Sequence, residues 1–266
     1  FYWRAVILWL LVRMLRSLLI INHAGLVIFI RSWIPLGLID EEKELIRMGS
    51  VFHALQDQSK QSTRCTPTYI EFTTVASSFV FNANAGIMCI LLHDIEDGSD
   101  FGSLLAEEIL KAFTDKFGSR KEAFAGAVHM DSFQEFHQIL PEAMTRNVER
   151  KILYRLQSTR GIKGCMFKTR SGGMAGAISG VDEFSIGANI ADLEAASDLL
   201  VPRSDGIDWI SLTISKDYII YIHRFGECSL VSQCRNNVSK QKYIHAIENA
   251  VSLLIKLSEL EWKLQG

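Results

Sequence analysis

The chain has 266 residues, 28 of them basic and 30 acidic, so its formal net charge is −2 with neutral histidines. This length fits one large domain or two small ones, and 48% hydrophobic residues supply enough apolar material for a packed core. The lack of a basic excess argues against nucleic-acid binding. Five cysteines without a CxxC pair argue against a disulfide scaffold and a zinc site. We therefore expect a globular protein of a reducing, cytoplasmic compartment.

Residues 1–13 form an apolar leader, FYWRAVILWLLVR. As a helix its apolar run would be about 18 Å long, short of the roughly 30 Å hydrocarbon core, so a spanning helix is not expected. Two interpretations stay open. Either Met14 is the natural start and the leader is not native, or the leader lies at a membrane interface with Trp3 and Trp9 at headgroup level.

Residues 14–140 predict the element order ββαβββα. Apolar runs bounded by turn residues predict five strands: Leu15–Asn22, Leu26–Trp33, Tyr69–Thr74, Ser78–Ala83 and Gly86–His93. Apolar residues at helical spacing predict two helices: one capped by Asp40 that buries Leu45, Met48, Phe52 and Leu55, and one capped by Asp100 that buries Leu104, Leu105, Ile109, Phe113 and Phe117. The continuous apolar runs Leu18–Ile21 and Ile87–Leu92 are typical of strands covered on both faces, so the first and fifth strands should be central neighbours.

Residues 141–266 predict the same core after an opening helix. The expected strands are Ile162–Thr169, Met174–Ser179, Trp209–Ser215, Tyr218–Arg224 and Cys228–Gln233, and the expected helices are Glu142–Gln157, Ile186–Val201 and Ser239–Leu264. Pro141 marks a break or a helix start after a less regular stretch. The predicted fold is α+β, with two tandem domains (14–140 and 141–266) that each hold a five-stranded antiparallel sheet flanked by helices.

Two segments of the first half, MLRSLLIINHAGLVIFIRSW and LLAEEILKAFTDKF, resemble a longin domain. In the second half, LQSTRGIKGCMFKTRSGGMAGAIS and WISLTISKDYIIYIHRFGECSLV resemble the roadblock family. The resemblance covers nearly everything from Met14 onward and implies tandem profilin-like domains without a shared catalytic residue or cofactor. It further implies a non-enzymatic adaptor or regulator in membrane trafficking. Its partner would be a small GTPase or another longin or roadblock protein, in a homo- or hetero-oligomer, with peripheral association to endomembranes.

Two segments are candidate partner interfaces. The first is a very apolar strand predicted at a sheet edge, and such an edge invites another strand or needs cover: Leu26, Val27, Ile28, Phe29 and Ile30. The second is the helix from Ile186. With Ile186, Ile190, Leu193 and Leu200 toward the sheet, it leaves a shallow side of small residues: Gly187, Ala188, Ala191 and Ala195. This side could be a dimer seam, or the alanines could simply be good helix formers.

A basic cluster surrounds one predicted strand and its turn, formed by Arg160, Lys163, Lys168 and Arg170. One interpretation is a solvated rim. The other is a surface for an acidic partner or for anionic lipid headgroups.

The residues that could carry chemistry form no established motif. Asp94–Asp100 concentrates four carboxylates but lacks the glycine and glutamate positions of an EF-hand, which favours a solvated loop over a metal site. Ser171–Gly173 turns a hairpin rather than opening a helix, which disfavours phosphate binding. The histidines His53, His93 and His223 are expected to be surface or hydrogen-bonded residues. No metal and no cofactor is expected.

Two other functions stay in view. A five-stranded sheet with helices can hold a small molecule, as in ligand-sensing PAS-like and GAF-like domains, and a polar cavity of a few hundred Å³ would favour that alternative. An enzyme is disfavoured by the sequence, and a carboxylate, a histidine and a cysteine gathered in one cleft would favour it.

Overall fold

The computed structural model describes residues 14–34, 40–119, 124, 130–178, 183–200, 208–213 and 215–265. By its internal contacts the chain divides into two compact units, the first reaching Val148 and the second comprising Glu149–Trp262. Each unit contains one five-stranded antiparallel sheet flanked by helices. The predicted α+β fold class is therefore confirmed. The leader lies outside the described residues, and the predicted domain limits stay predictions.

The first sheet has the strand order β2-β1-β5-β4-β3. Its strands are β1 Leu15–Asn22, β2 Val27–Ser32, β3 Tyr69–Glu71, β4 Val75–Asn82 and β5 Ile87–Asp94. The helices of this part of the chain are α1 Glu41–Thr63, α2 Gly98–Phe117 and α3 Phe136–Met144. As predicted, β1 and β5 are central neighbours, and every residue of β5 is buried.

Alternate residues of the first sheet face different helices. Leu19, Ile21 and Ile90 form one core with Leu45 and Phe52 of α1. The opposite face packs against α2, which contacts β4 and β5. Double-sided cover explains why the central strands read as uninterrupted apolar runs.

The helix ends differ in part from the predictions. Asp40 caps α1 by accepting a hydrogen bond from the Lys43 amide at 3.4 Å, as expected. Asp100 is not a cap, because α2 already begins at Gly98 after a short 3₁₀ turn at Ile95–Asp97. Its carboxylate instead lies in the first turn, where the helix dipole still favours it. Leu55 does not join the core, since 41% of it is exposed where α1 continues past its last buried position.

The single helix predicted from Glu142 is two helices in the structure. Pro141 lies inside α3, and the chain breaks at Thr145 before α4, which spans Arg146–Gln157. The amide and hydroxyl of Thr145 both donate to the Pro141 carbonyl, at 3.1 and 2.9 Å. Both donors of Thr145 are therefore used on one carbonyl at the point where the backbone leaves the helix.

The second sheet repeats the order of the first, as β7-β6-β10-β9-β8. Its strands are β6 Ile162–Lys168, β7 Met174–Ala177, β8 Asp208–Thr213, β9 Tyr218–Phe225 and β10 Cys228–Arg235, and its further helices are α5 Glu183–Leu200 and α6 Gln241–Gln265. Ile190 of α5 packs with Met166, Ile222 and Val231 on one face. On the other face the Cys165 thiol of β6 donates to a carbonyl of α4, and Tyr221 of β9 meets Tyr243 of α6. Each sheet thus has helices on both faces.

Two asparagines close the hairpin turns at one end of the first sheet. The Asn22 side-chain oxygen accepts from the amides of Ala24 and Leu26, and its amide nitrogen donates to the Phe124 carbonyl at 2.9 Å. Asn82 accepts from the amides two and three residues on in the same manner. Asn22 is fully buried, so these bonds replace water that cannot reach it.

We expect Asn22→Ala to lower the free energy of unfolding by about 2 kcal/mol, because it leaves two turn amides and the buried Phe124 carbonyl without their partner. Urea denaturation followed by circular dichroism measures the change. Asn84→Ala is the matched control, since that side chain is exposed in the turn between β4 and β5. Equal urea midpoints for the two variants would contradict the assigned role of Asn22.

Candidate interaction surfaces

The predicted edge strand is largely covered by its own chain. β2 is an edge of the first sheet, but Val27, Ile28 and Phe29 are buried and Ile30 is half-buried. Only Leu26 of the predicted set is exposed, at 48%. The 3₁₀ segment Met130–Phe133 lies against β2 and supplies part of the cover. The side chains of this strand are therefore used for folding, and Leu26 is the one left for a partner.

A cluster of six phenylalanines holds that cover in place. Its members are Phe29, Phe113, Phe117, Phe124, Phe133 and Phe136. Phe113 of α2 is at the centre, with ring centroids 5.4 Å from Phe133 and 5.0 Å from Phe136. Aromatic pairs at these distances contribute beyond their buried area. Three of these phenylalanines, Phe124, Phe133 and Phe136, precede Pro141 in the sequence and pack on α2 through this cluster.

The exposed face of α5 carries small residues and one large apolar residue. Ala191 and Ala195 are exposed, and Leu199 follows at the same four-residue spacing with 89% exposure. Ile190 and Leu193 point to the second core, as predicted. The side chains of Ile186, Gly187, Ala188 and Leu200 lie outside the described residues. Ala191, Ala195 and Leu199 together form a surface that we call the α5 outer face.

The inner face of α5 also carries a buried carboxylate that sequence reasoning missed. Glu194 is 5% exposed. Its carboxylate pairs with the Lys168 ammonium at 3.0 Å and accepts a hydrogen bond from the Ser229 hydroxyl. Nη1 of Arg224 donates to the backbone carbonyl of Glu194 at 3.4 Å. Lys168, Ser229 and Arg224 are cross-strand partners on β6, β10 and β9, so they form one polar row beneath α5.

A cavity of about 190 Å³ opens at this polar row. It is lined by Lys168, Glu194, Arg224, Gly226, Glu227, Cys228 and Ser229. Glu227 lies at the rim, where its carboxylate is 2.7 Å from Nε of Arg170 and both side chains are mostly exposed. The floor is formed by Arg224 and Ser229, which are both buried. We call this space the α5 cavity.

The four cations of the predicted basic cluster do not share one place. Arg160 and Lys163 are exposed near the start of β6, whereas Lys168 and Arg170 lie at its end. The two ends of a seven-residue strand are roughly 20 Å apart. Lys168 and Arg170 also already pair with Glu194 and Glu227. Binding of a partner or a membrane through these residues stays a prediction.

Ser78, His93 and Asp97 of the first unit lie next to one another, with the histidine between the hydroxyl and the carboxylate as in the catalytic triad of a hydrolase. The Ser78 hydroxyl is 2.9 Å from His93 Nε2, and His93 Nδ1 lies 2.9 Å from the Asp94 carbonyl and 3.7 Å from the Asp97 carboxylate. Because the carbonyl can only accept, Nδ1 carries the proton and Nε2 accepts from Ser78. Ser78 and His93 have no exposed surface. A substrate cannot reach this hydroxyl, so the cluster is a structural hydrogen-bond network.

Gly102 of α2 packs directly against the side chains of His93 and Ser78. A Cβ atom at this position would lie within 3.0 Å of both His93 Nε2 and Ser78 Oγ. Only a glycine allows the helix to approach the sheet this closely. The sequence alone does not show what Gly102 packs against, because His93 and Ser78 lie on strands outside α2.

The carboxylates of the acidic segment Asp94–Asp100 contact different residues. Asp94 pairs with Arg16, with Oδ1 2.7 Å from Nη2, and Asp97 faces His93. In the described part of the chain, no group of three or more His, Cys, Asp or Glu side chains could hold a metal ion.

The buried thiols and one histidine have shifted pKa values. Burial raises the pKa of Cys165 to about 12, and burial with the neighbouring Cys165 raises that of Cys234 to about 12. Burial lowers the pKa of His223. These groups stay neutral near pH 7, so neither thiol is an activated nucleophile.

The predicted histidine His53 stabilises the first hairpin turn, since its Nε2 donates to the His23 carbonyl at 2.8 Å.

No helix in the described ranges has both the length and the apolar run that a membrane crossing requires.

No family model and no curated protein matches the chain. Among solved structures it is similar to MglB of Myxococcus xanthus, at 17% identity and a TM-score of 0.33 over 44% of this chain and 94% of that one. It is also similar to a chain in a homology model of the full-length AP-3 complex in a stretched open conformation. That match has 10% identity and a TM-score of 0.32 over 70% of this chain and 97% of that one. Both TM-scores are below 0.5, so the fold assignment rests on the sheet order of the chain itself.

We expect Gly102→Ala to destabilise the chain by about 2 kcal/mol, because the added methyl group displaces His93 or Ser78 from a packed site. Gly118→Ala is the matched control at the other end of α2. There a Cβ atom would lie 3.6 Å from the Thr114 methyl group, an ordinary contact. Thermal denaturation of both variants measures the difference. A Gly102→Ala variant as stable as the control would show that the network does not require this close approach.

Proposed function

We propose that the chain is a non-enzymatic adaptor or regulator of a small GTPase in membrane trafficking. It would act by pairing, in the manner of longin and roadblock domains, with a GTPase or with another longin or roadblock subunit. The observation that carries this proposal is the repeated sheet order, β2-β1-β5-β4-β3 and β7-β6-β10-β9-β8, with helices on both faces of each sheet. This is the arrangement that the resemblance in the sequence implied.

Docking rather than catalysis also agrees with the distribution of polar and apolar groups. The triad-like network at Ser78 is closed to solvent, whereas Leu199 and Trp209 are 89% and 56% exposed. Trp209 is on β8, which is an edge of the second sheet. An edge strand and an apolar helix face are two surfaces through which such domains can pair. Leu26 adds an exposed apolar residue beside β2 in the first unit.

The ligand-sensing alternative is not favoured by the cavity. Pockets for small organic ligands usually measure about 300–1,000 Å³ and are mostly apolar. The α5 cavity has about 190 Å³ and a charged lining. It is too small and too polar for the ligands of a PAS-like or GAF-like domain.

Where the protein works follows from the same proposal. A regulator of trafficking GTPases would act in the cytoplasm, on the surface of endomembranes. Fractionation of cells that express the tagged full chain tests this placement. Recovery of the chain with endomembranes that is lost after washing with salt supports peripheral association, and recovery only inside a lumen contradicts it.

We expect Leu199→Asp to weaken partner binding at least about tenfold, because it places a charge on the largest apolar side chain of the α5 outer face. Asn189→Asp is the matched control: it adds the same charge to another exposed position of α5. The full chain and both variants serve as bait in pull-downs analysed by quantitative mass spectrometry.

Enrichment of small GTPases, longin or roadblock proteins by the wild type and the control, but not by Leu199→Asp, supports the proposal. Enrichment of none of these classes by the wild type contradicts it. Equal enrichment by all three baits assigns the contact to a surface other than the α5 outer face. Size-exclusion chromatography with light scattering on the same baits shows whether the chain pairs with itself.

A further inference from the structure

His223 is a buried histidine of β9 that the proposed function does not use. Its residue is 6% exposed, and its Nδ1 has no hydrogen-bond partner among the described residues. A neutral imidazole tolerates such a place better than an imidazolium, whose two N–H groups both require acceptors. Burial accordingly lowers the pKa of His223. The side chain therefore takes up a proton only when the solution becomes acidic.

Two charged groups among the described residues act on His223. Its direct partners in the sheet are Trp209 of β8 and Leu230 of β10, and neither side chain ionises. On the side of α6, the Glu248 carboxylate raises the pKa of His223 in part, and the Lys240 ammonium group lowers it. Both of these residues are exposed. A proton on His223 is thus attracted by one carboxylate and repelled by one ammonium group.

Lys240 lies over two aromatic rings next to His223. Its Nζ is 4.9 Å from the centre of the Trp209 ring and 5.3 Å from that of the Tyr221 ring. The Tyr221 ring is 6.3 Å from the Trp209 ring and 6.4 Å from the His223 ring. An ammonium group is attracted to the faces of such rings, and most strongly to that of tryptophan. A proton on His223 places a second positive charge beside the same rings.

We infer that His223 and Lys240 form a pH-sensitive switch at the start of α6. While His223 is neutral, Lys240 stays over the rings of Trp209 and Tyr221. When His223 gains a proton, the repulsion between the two cations drives Lys240 away from the rings, and Glu248 stabilises the imidazolium. The transition lies below about pH 6.5, the ordinary pKa of a histidine, because burial moves the titration of His223 downward.

The switch changes the edge of the second sheet. Trp209 is 56% exposed on the edge strand β8, and Lys240 covers part of its ring. The departure of Lys240 uncovers that part, so the apolar surface at this edge grows as the pH falls. Any effect on pairing through β8 rests on the proposed function, whereas the switch itself does not.

NMR spectra of the full chain, recorded between about pH 8 and pH 5, test the switch. The ring protons of His223 report its protonation. The Hε protons of Lys240 report its position, because an aromatic ring shifts protons above its face upfield. The variants His223→Gln and Lys240→Gln assign these signals by their absence. We expect Lys240 to lose its upfield shift at the midpoint at which His223 is protonated.

Three exposed positions vary the charge around the switch. Lys240→Gln should raise the midpoint of His223, because it removes the repelling ammonium group. Glu248→Gln should lower the midpoint, because it removes the attracting carboxylate. Lys242→Gln is the matched control: it removes the same charge at an exposed position in the first turn of α6 and should leave the midpoint unchanged. Circular dichroism at each pH verifies that the wild type and the variants are folded.

A common midpoint for His223 and Lys240 in the wild type, with opposite displacements in Lys240→Gln and Glu248→Gln, supports the switch. It is overturned when Lys240 keeps its upfield shift after His223 is protonated, or when His223 stays neutral down to about pH 5. It is also overturned when Lys240→Gln leaves the midpoint where Lys242→Gln does, or when the wild type unfolds over the same range. These failures leave the adaptor proposal standing, because that proposal rests on the repeated sheet order.

Discussion

The structure depends on the double-sided burial of the central strands. β5 is buried along its whole length, and β10 is buried except for its last residue. A strand in that position needs apolar cover from helices on both faces of its sheet, since its alternate side chains point in opposite directions. The positions of α1 and α2 in the first unit, and of α5 and α6 in the second, follow from this requirement. The edges of each sheet are then the places where other contacts can form.

This constraint also explains how much of the fold could be predicted. The runs Leu18–Ile21 and Ile87–Leu92 are apolar at every position, which indicates strands buried on both faces. The central positions of β1 and β5 in the first sheet could therefore be predicted from the sequence. Helix ends depend on local geometry that residue types only suggest. Asp40 caps its helix, whereas Asp100 lies inside one because a 3₁₀ turn moved the helix start upstream. Pro141 is likewise a frequent breaker that here remains inside a helix.

The polar clusters could not be predicted because their members are distant in sequence. Ser78 and His93 are 15 residues apart, and Ser229 and Glu194 are 35 apart. Each of these residues lies in a strand or helix that the sequence predicts from its apolar residues alone, so the pattern does not single out the polar one. Only the register of neighbouring strands brings Lys168, Ser229 and Arg224 into one row. The exposed alanines of α5 were predictable because helical spacing alone separates them from Ile190 and Leu193.

The inner face of α5 combines apolar packing with one buried ion pair, formed by Glu194 and Lys168. Ile190 and Leu193 already attach the helix to Met166 and Ile222 by apolar packing. Burying a carboxylate against Lys168 removes both charges from water, and a pair of this kind often stabilises a fold less than apolar residues of similar volume. Lys168 and Ser229, on neighbouring strands, both contact the Glu194 carboxylate, so the buried charge has two partners. Removing one member of such a pair is strongly destabilising, because the other charge is left buried, so the pair holds α5 at one position on β6.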